Sequence, residues 1–233
     1  MADGQVDFDI TDERLKAFEK CISPERLAGY YALARGDRRI GILLYERNTE
    51  LSEALYGVIQ GLEVTLRNAI HNVVADQLGA KDWYDKVGLA ASEVEAIDKA
   101  KESILEAAEI VTPGRVVAEV NLGFWVRLIG GYYDKTLWTP YIRRVFPLKV
   151  KRRVLHGRLM SLKSLRNRIA HHQRIIGGKR DLTQDYADLL ETIAWISPTV
   201  SEWIAATNCF PVRAAKKLRK LNPVVPPLPS APQ

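Results

Sequence analysis

The chain has 233 residues, 47% of them hydrophobic, and a formal net charge of +6, so it is long enough to bury a substantial core. No stretch holds the roughly 20 consecutive apolar residues of a membrane-spanning helix. The first ten residues, MADGQVDFDI, are acidic where a signal peptide is basic and then apolar. We therefore expect a cytoplasmic protein that does not enter a membrane, with Cys21 and Cys209 as reduced thiols.

The first third of the chain is predicted to be helical. Ser23-Pro24 favours a helix start and Gly36 a helix end. Asn48-Thr49 is predicted to cap a long helix that runs to Leu78, with Gly79 as its C-terminal stop. Apolar residues in that segment recur every three or four positions, which is the period of a helix.

Two further helices are predicted in the middle of the chain. Ser92 and Glu95 have the spacing of a capping box, for a helix that reaches about Val111. Thr112-Pro113 then favours the start of another helix, which we expect to end near Gly130-Gly131.

The last third of the chain contains three predicted helices. One begins at about Leu148 and ends by Gly177-Gly178. The next is capped by Asp181 or Thr183, and Ser197-Pro198 favours the start of a short final helix.

No segment has the alternation typical of a strand bounded by hairpin turns, so the predicted fold class is all-α. We expect an N-terminal helical extension over residues 1–28 and one helical domain over residues 29–208. Residues 209–233 are predicted to form a basic and then proline-rich flexible tail, because NPVVPPLPSAPQ holds five of the eleven prolines.

The stretch SLRNRIAHHQRI, residues 164–175, is the chemically densest part of the chain, since it holds two of the four histidines. On a helical wheel Arg166 lies within the apolar stripe, where a guanidinium is costly unless it is paired or faces a cleft. That stripe consists of Leu155, Leu159, Leu162, Leu165 and Ile169. Asn167 and His171, four residues apart, share a flank that Arg166 can reach, whereas Arg168 projects to the opposite side.

These side chains suit metal-independent RNA cleavage. An imidazole can remove the proton of a ribose 2′-hydroxyl or protonate the leaving oxygen, and a fixed guanidinium can stabilise the charge that develops on the phosphate. The same residues also fit a structural role, in which Arg166 forms a buried ion pair and both histidines are satisfied near a helix end.

Positive charge is concentrated around this stretch. Residues 141–180 contain thirteen Lys or Arg residues and no Asp or Glu. Such a run of one sign is typical of a protein that binds a polyanion, most often nucleic acid.

Other candidate features favour structural roles. Arg67-Asn68-Ala69-Ile70-His71 echoes the dense stretch, but we expect Glu63 to pair with Arg67 along the helix. Phe124, Tyr132 and Tyr133 are expected to pack in the core rather than stack on RNA bases. The chain has no phosphate-binding loop, no zinc-protease motif and no serine-hydrolase elbow. We expect no metal site and no cofactor.

The run Leu165-Arg166-Asn167-Arg168-Ile169-Ala170-His171-His172 resembles the signature of HEPN domains, an arginine followed after four to six residues by a histidine. Two further blocks, YERNTELSEALYGVIQGLEVTLRNAI from Tyr45 and NLGFWVRLIGGYY from Asn121, resemble the Abi-like branch of phage-resistance proteins. Together the three blocks span about residues 30–180, in the order that the family shows.

The resemblance implies a HEPN-like helical bundle with peripheral helices. It also implies a homodimer whose facing motif helices build a shared cleft, and endoribonuclease activity in abortive infection or as a toxin. The implied catalytic residues are Arg166, Asn167, and His171 or His172, with His171 favoured by its place beside Asn167. We expect Leu162 and Ile169 to seal the dimer interface. The residues expected to bind RNA are Arg143, Arg144, Lys151, Arg152, Arg153, Arg158, Lys163, Arg168 and Arg174.

Two alternatives remain open. The protein is either a catalytically inactive HEPN module that only binds RNA, or a helical interaction protein whose basic face binds an acidic partner. An antitoxin or a phage-derived trigger is a possible further partner for a toxin of this kind.

Overall fold

The computed structural model describes residues 8–218, and these form ten α-helices without a strand. The prediction of an all-α fold is confirmed. The helices are α1 (Asp12–Ile22), α2 (Pro24–Leu33), α3 (Arg38–Leu78), α4 (Ala91–Glu106), α5 (Pro113–Glu119), α6 (Leu122–Leu128), α7 (Arg152–Ala170), α8 (Leu182–Ala194), α9 (Pro198–Thr207) and α10 (Phe210–Ala215). Short helical turns connect α3 to α4 and α6 to α7.

Helix α3, with 41 residues, is the axis of the fold. It begins earlier than predicted, because the Asp37 side chain accepts a hydrogen bond from the Ile40 N–H at 3.0 Å and so caps the helix. Asn48 is therefore not a cap but a buried residue inside the helix. The helix ends as predicted at Gly79, whose φ of 62° is the left-handed conformation that glycine adopts at low cost.

Helices α1 and α2 pack on the first turns of α3 around a small core of their own. Its buried residues are Ile10, Leu15, Leu27, Ile42 and Leu43. Ser23 ends α1 and caps α2, and Pro24 occupies the first position of α2 as predicted.

The middle of the chain breaks into more helices than the sequence predicted. Helix α4 ends at Glu106 rather than near Val111, and Ser92 bonds Glu93 instead of capping the helix. Helices α5 and α6 replace one predicted helix, because the Asn121 side chain accepts the Phe124 N–H and starts a new helix there.

The main core lies between α3 and the helices from α4 onward. It includes the whole apolar stripe of α7 that the helical wheel predicted, together with Phe124 and Trp125 of α6. Asp181 caps α8 and Ser197 caps α9, as predicted. Helix α10 also joins this core, through Phe210 at 2% exposure. The proline-rich part of the predicted tail lies outside the described residues.

A candidate active site at the end of α7

Helix α7 ends in the middle of the Arg–His stretch. It was predicted to end by Gly177-Gly178, and its last residue is Ala170, well before that pair. His171 is the C-cap residue, and His172 adopts a φ of 53°. The His172 N–H donates to the Ile169 carbonyl at 2.9 Å and the Gln173 N–H to the Arg168 carbonyl at 2.7 Å. This pattern is the Schellman motif, in which glycine usually holds the position that His172 holds here.

The turn after α7 is tied to distant parts of the chain. Arg26 of α2 donates to the His172 carbonyl at 2.7 Å, and Arg174 donates to the Gly29 carbonyl at 3.3 Å. The buried Asn48 side chain of α3 accepts the Ile175 N–H at 2.7 Å. Because the backbone is held on both sides of the left-handed residue, the two histidines have a defined position relative to α2 and α3.

Arg166 lies between the core and the solvent. Its side chain is 29% exposed, and its Nε lies 3.7 Å from Oε2 of Glu63 on α3. The other carboxylate oxygen of Glu63 accepts the Leu122 N–H, at the start of α6, at 2.8 Å. Glu63 therefore joins α3, α6 and α7 at the candidate site. The predicted Glu63–Arg67 pair is wrong, since Arg67 donates instead to the Ala118 carbonyl at 3.1 Å.

The other three candidate catalytic side chains are exposed to solvent. Asn167 lies on the last turn of α7, and the His171 N–H donates to its carbonyl at 2.9 Å. His171 therefore still sits one turn beyond Asn167, although the helix has ended. Arg166, Asn167, His171 and His172 thus all lie in the last turn of α7 or the turn that follows it, the first partly buried and the other three exposed. These residues offer a cation and two imidazole rings to a ligand from solvent.

Comparison with known proteins supports the resemblance. The family model described as Abi-like protein matches residues 41–177, which is more than half of the 233-residue chain. The chain belongs to the Abi-like protein family. The matched segment begins in α3 and ends just beyond the turn after α7, so it contains the candidate site. The family assignment points to abortive infection, a form of phage defence. No curated protein and no solved structure matches the chain.

Within residues 8–218 of this Abi-like protein, no helix is both long and apolar enough to cross a membrane. The same residues contain no cluster of three His, Cys, Asp or Glu side chains with the geometry of a metal site.

The basic residues of this Abi-like protein fall into two groups. Some pair within the fold: Arg158 contacts Glu191 at 2.6 Å and lies over the Trp195 ring, and Arg152 contacts Asp134 at 3.1 Å. Arg168 and Arg174 donate to backbone carbonyls, and Arg144 donates to Gln77. The exposed cations Arg143, Lys151 and Arg153, with the half-buried Lys163, form no ion pair in the described part of the chain.

Sequence reasoning missed three residues that shape this site. Glu63 lies about 100 positions from Arg166, Asn48 lies more than 100 positions from Ile175, and Arg26 lies in a separate helix. Only Asn48 could have been recognised from the sequence. It is a polar residue at a helix position that faces the core, and such a residue usually has a specific hydrogen-bond partner.

The expectation that Leu162 and Ile169 seal a dimer interface is wrong. Leu162 and Ile169 are only 1% and 7% exposed, and both belong to the core of the single chain. They are therefore not available to seal a dimer interface, and one chain alone accommodates Arg166 through Glu63.

Proposed function

We propose that this Abi-like protein is a metal-independent endoribonuclease of the HEPN type that acts in the cytoplasm, in abortive infection or as a toxin. The observation that carries the proposal is the end of α7. There Asn167, His171 and His172 are exposed beside a half-buried guanidinium that is anchored from behind by Glu63. Anchored cations and exposed imidazoles at one place are the groups that phosphoryl transfer from a ribose requires.

In the proposed reaction the ribose 2′-oxygen attacks the neighbouring phosphorus. His171 accepts the proton of the 2′-hydroxyl as the P–O5′ bond breaks, and a second imidazole protonates the departing 5′-oxygen. The products are a 2′,3′-cyclic phosphate and a 5′-hydroxyl. Arg166 stabilises the charge on the non-bridging oxygens, and Asn167 donates a hydrogen bond to the same phosphate.

The second imidazole comes either from His172 of the same chain or from a second copy, and we propose a homodimer. Gly157, Met160, Ser164, Asn167 and His171 recur along α7 at three- and four-residue intervals, and all five are exposed. A row with that spacing is the seam along which two helices pack. Pairing of two α7 helices along this seam places the candidate catalytic residues of both copies beside one another.

A catalytically inactive RNA-binding protein is the second candidate. It is favoured by the Glu63 carboxylate 3.7 Å from Arg166, which offsets the positive charge that a transition state needs. An antitoxin or a phage-derived trigger that binds the same face is compatible with both candidates.

The test is cleavage of RNA by the purified protein in excess EDTA, followed by analysis of the RNA ends. We expect cleavage with 2′,3′-cyclic phosphate ends, and loss of cleavage in Arg166→Ala. Mixing Arg166→Ala with His171→Ala chains is expected to restore part of the activity if the site is shared between copies. Binding without cleavage supports the second candidate, and activity that returns only with added Mg²⁺ contradicts the imidazole mechanism.

A further inference from the structure

Helix α6 runs antiparallel along α7, and the strip of surface between the two helices, here called the α6–α7 groove, leads away from the candidate site. At one end Glu63 contacts both the first N–H of α6, at Leu122, and Arg166 near the end of α7. At the other end, just beyond α6, Gly130 faces His156 near the start of α7. The groove therefore continues from Arg166 to His156, about 15 Å along the helix axis at 1.5 Å per residue.

Three glycines in or just after α6 lie close to α7 along this groove, beside the side chains of Asn121 and Arg127. A β-carbon at Gly130 would lie 3.6 Å from Nε2 of His156. A β-carbon at Gly131 would lie 3.9 Å from both terminal nitrogens of Arg152, and one at Gly123 would lie 3.8 Å from Cδ of Lys163. The polar ends of Arg152 and His156 thus lie beside glycine backbone, which gives an extended ligand a close approach.

The charges along the groove differ in how far they are already neutralised. Arg127 is paired with the buried Glu93, and Arg152 is paired with Asp134 at 3.1 Å. Lys163 has no ion pair among residues 8–218 and lies between the two ends, one helical turn before Arg166. Lys163 can therefore bind a phosphate without first breaking an ion pair within the protein.

His156 differs from the histidines of the candidate site. Burial lowers its pKa, and the nearby cations Arg152 and Lys163 lower it further. Its imidazole is therefore neutral near pH 7, with one nitrogen that donates and one that accepts. Such a ring suits the edge of a nucleobase better than a phosphate.

An exposed aromatic residue follows in the chain directly after this end of the groove. Tyr132 follows Gly131 directly and is 74% exposed, so the expectation that it packs in the core is wrong. Its ring meets that of Tyr133 edge to face, with centroids 4.8 Å apart. Tyr133 is buried, and its hydroxyl bonds Glu93 at 2.7 Å and the Ala90 N–H at 2.9 Å. Tyr132 therefore projects from an anchored neighbour, as a platform for stacking does.

We propose that the α6–α7 groove is a second subsite for single-stranded RNA, in which Lys163 holds a phosphate, His156 contacts a base edge and Tyr132 stacks on a base. The proposal rests on the proposed function for the identity of the ligand as RNA. It adds that the protein holds a strand several nucleotides from the bond it cleaves, which gives preference to unpaired over double-stranded RNA because stacking needs an unpaired base.

The experiment measures binding apart from cleavage. A fluorescent 12-nucleotide single strand with 2′-O-methyl groups cannot be cleaved by 2′-hydroxyl attack, and its anisotropy reports affinity. We expect Tyr132→Ala to weaken binding at least about fivefold and Tyr132→Phe to keep it, because stacking needs only the ring. Lys163→Gln is expected to reduce the salt slope of binding by about 0.7, the value for one phosphate contact on a single strand.

Matched control variants remove the same types of side chain, a lysine and an aromatic ring, outside the groove. Lys16→Gln on α1 removes an exposed lysine, and Trp203→Ala on α9 removes an aromatic ring that is 64% exposed. Thermal unfolding of each variant verifies the fold.

The outcomes separate this subsite from the nuclease. If Tyr132→Ala and Lys163→Gln bind RNA as their controls do, the subsite is wrong, whether or not the protein cleaves RNA. The same holds if the unmodified protein does not bind the strand. If binding depends on Tyr132 and Lys163 but unmodified RNA is never cleaved, the subsite is upheld and the proposed endoribonuclease is not.

Discussion

The chain contains two runs in which arginine, asparagine and histidine follow each other closely, and the structure uses them differently. In α3 they are Arg67, Asn68 and His71, and at the end of α7 they are Arg166, Asn167 and His171 or His172. His71 is half-buried and accepts the Trp83 indole N–H at 3.0 Å. The histidines after α7 are exposed. Residue composition therefore does not separate a structural run from a candidate site.

The difference between the two runs is where the helix ends. Helix α3 continues for seven residues beyond His71, so that ring stays at its helical position and packs against Trp83. Helix α7 stops at Ala170, and the left-handed His172 turns the chain away from the helix axis. A helix end releases side chains from the packed surface and leaves backbone groups for other partners, which is why sites often form there.

Substitution of a histidine in each run by alanine gives the largest expected difference between the runs, in cleavage rate and in stability. His171→Ala is expected to reduce the rate of RNA cleavage about 100- to 10,000-fold, the usual cost of losing a general acid or base, without loss of stability. His71→Ala is expected to leave the catalytic groups intact but to lower the free energy of unfolding by about 1–3 kcal/mol, because the buried Trp83 N–H loses its acceptor. Single-turnover cleavage and urea unfolding of the two variants measure both effects.

His172→Ala serves as the control for this contrast. We expect a smaller loss of rate than for His171→Ala. If His172→Ala abolishes cleavage and His171→Ala does not, the roles of the two histidines are exchanged. If all three histidine variants cleave RNA at the normal rate, the α7 run is no more catalytic than the α3 run.

The anchoring of the turn after α7 gives the next largest effect. Asn48→Leu is expected to leave the buried Ile175 N–H without an acceptor, at a cost of about 1–3 kcal/mol. For a chain of this size that cost lowers Tm by about 2–12 °C. The matched control is Asn68→Leu, an exposed asparagine on the same helix, for which no comparable change in Tm is expected. Equal melting of the two variants would show that the Asn48 anchor contributes nothing.

The sequence allowed much of the fold to be predicted but less of the site. Apolar periodicity identified α3 and the buried stripe of α7, and local cap residues identified the starts of α2, α8 and α9. These signals are local, so one sequence suffices to read them. The dense run itself was also visible, because its residue types are chemically unusual for a helix.

Some helix caps were missed although they are local, as at Asp37 and Asn121, but the errors at the candidate site concern partners that lie far apart in the chain. The pairing of Glu63 with Arg166 and of Asn48 with Ile175 depends on tertiary packing, which no local rule contains. The end of α7 was missed for a related reason. The sequence offers histidine where glycine usually marks a Schellman turn, and Arg26 and Asn48 hold the chain there from distant helices.

Substitution of His172, the left-handed residue of the turn after α7, is expected to have a smaller effect on stability. His172→Gly is expected to stabilise the protein by about 0.5–1 kcal/mol, because glycine adopts the φ of 53° without the strain of a β-carbon. His172→Ala keeps the β-carbon and gains nothing in stability. Comparison of the two variants by thermal unfolding separates the backbone role of His172 from the role of its ring in cleavage. A stability of His172→Gly at or below that of His172→Ala contradicts the assigned strain.

The smallest expected effect concerns pH and returns to the α3 run. Burial lowers the pKa of His71 from its ordinary value near 6.5, so the unfolded chain binds a proton there at a higher pH than the folded chain does. The stability that follows from the neutral ring is present above pH 6.5 and is lost as pH falls toward the lowered pKa. The slope of the unfolding free energy against pH that this one group causes does not exceed about 1.4 kcal/mol per pH unit.

The test compares the unmodified protein with His71→Gln, which keeps an acceptor for Trp83 but does not titrate. In this variant, Tm is expected to fall less steeply between pH 7 and pH 5 than in the unmodified protein. His156, whose pKa is also lowered by burial, remains in both proteins and contributes equally to their slopes. Identical slopes for the two proteins would mean that the α3 histidine is as open to protons as an exposed one, and the contrast between the two runs would then rest on catalysis alone.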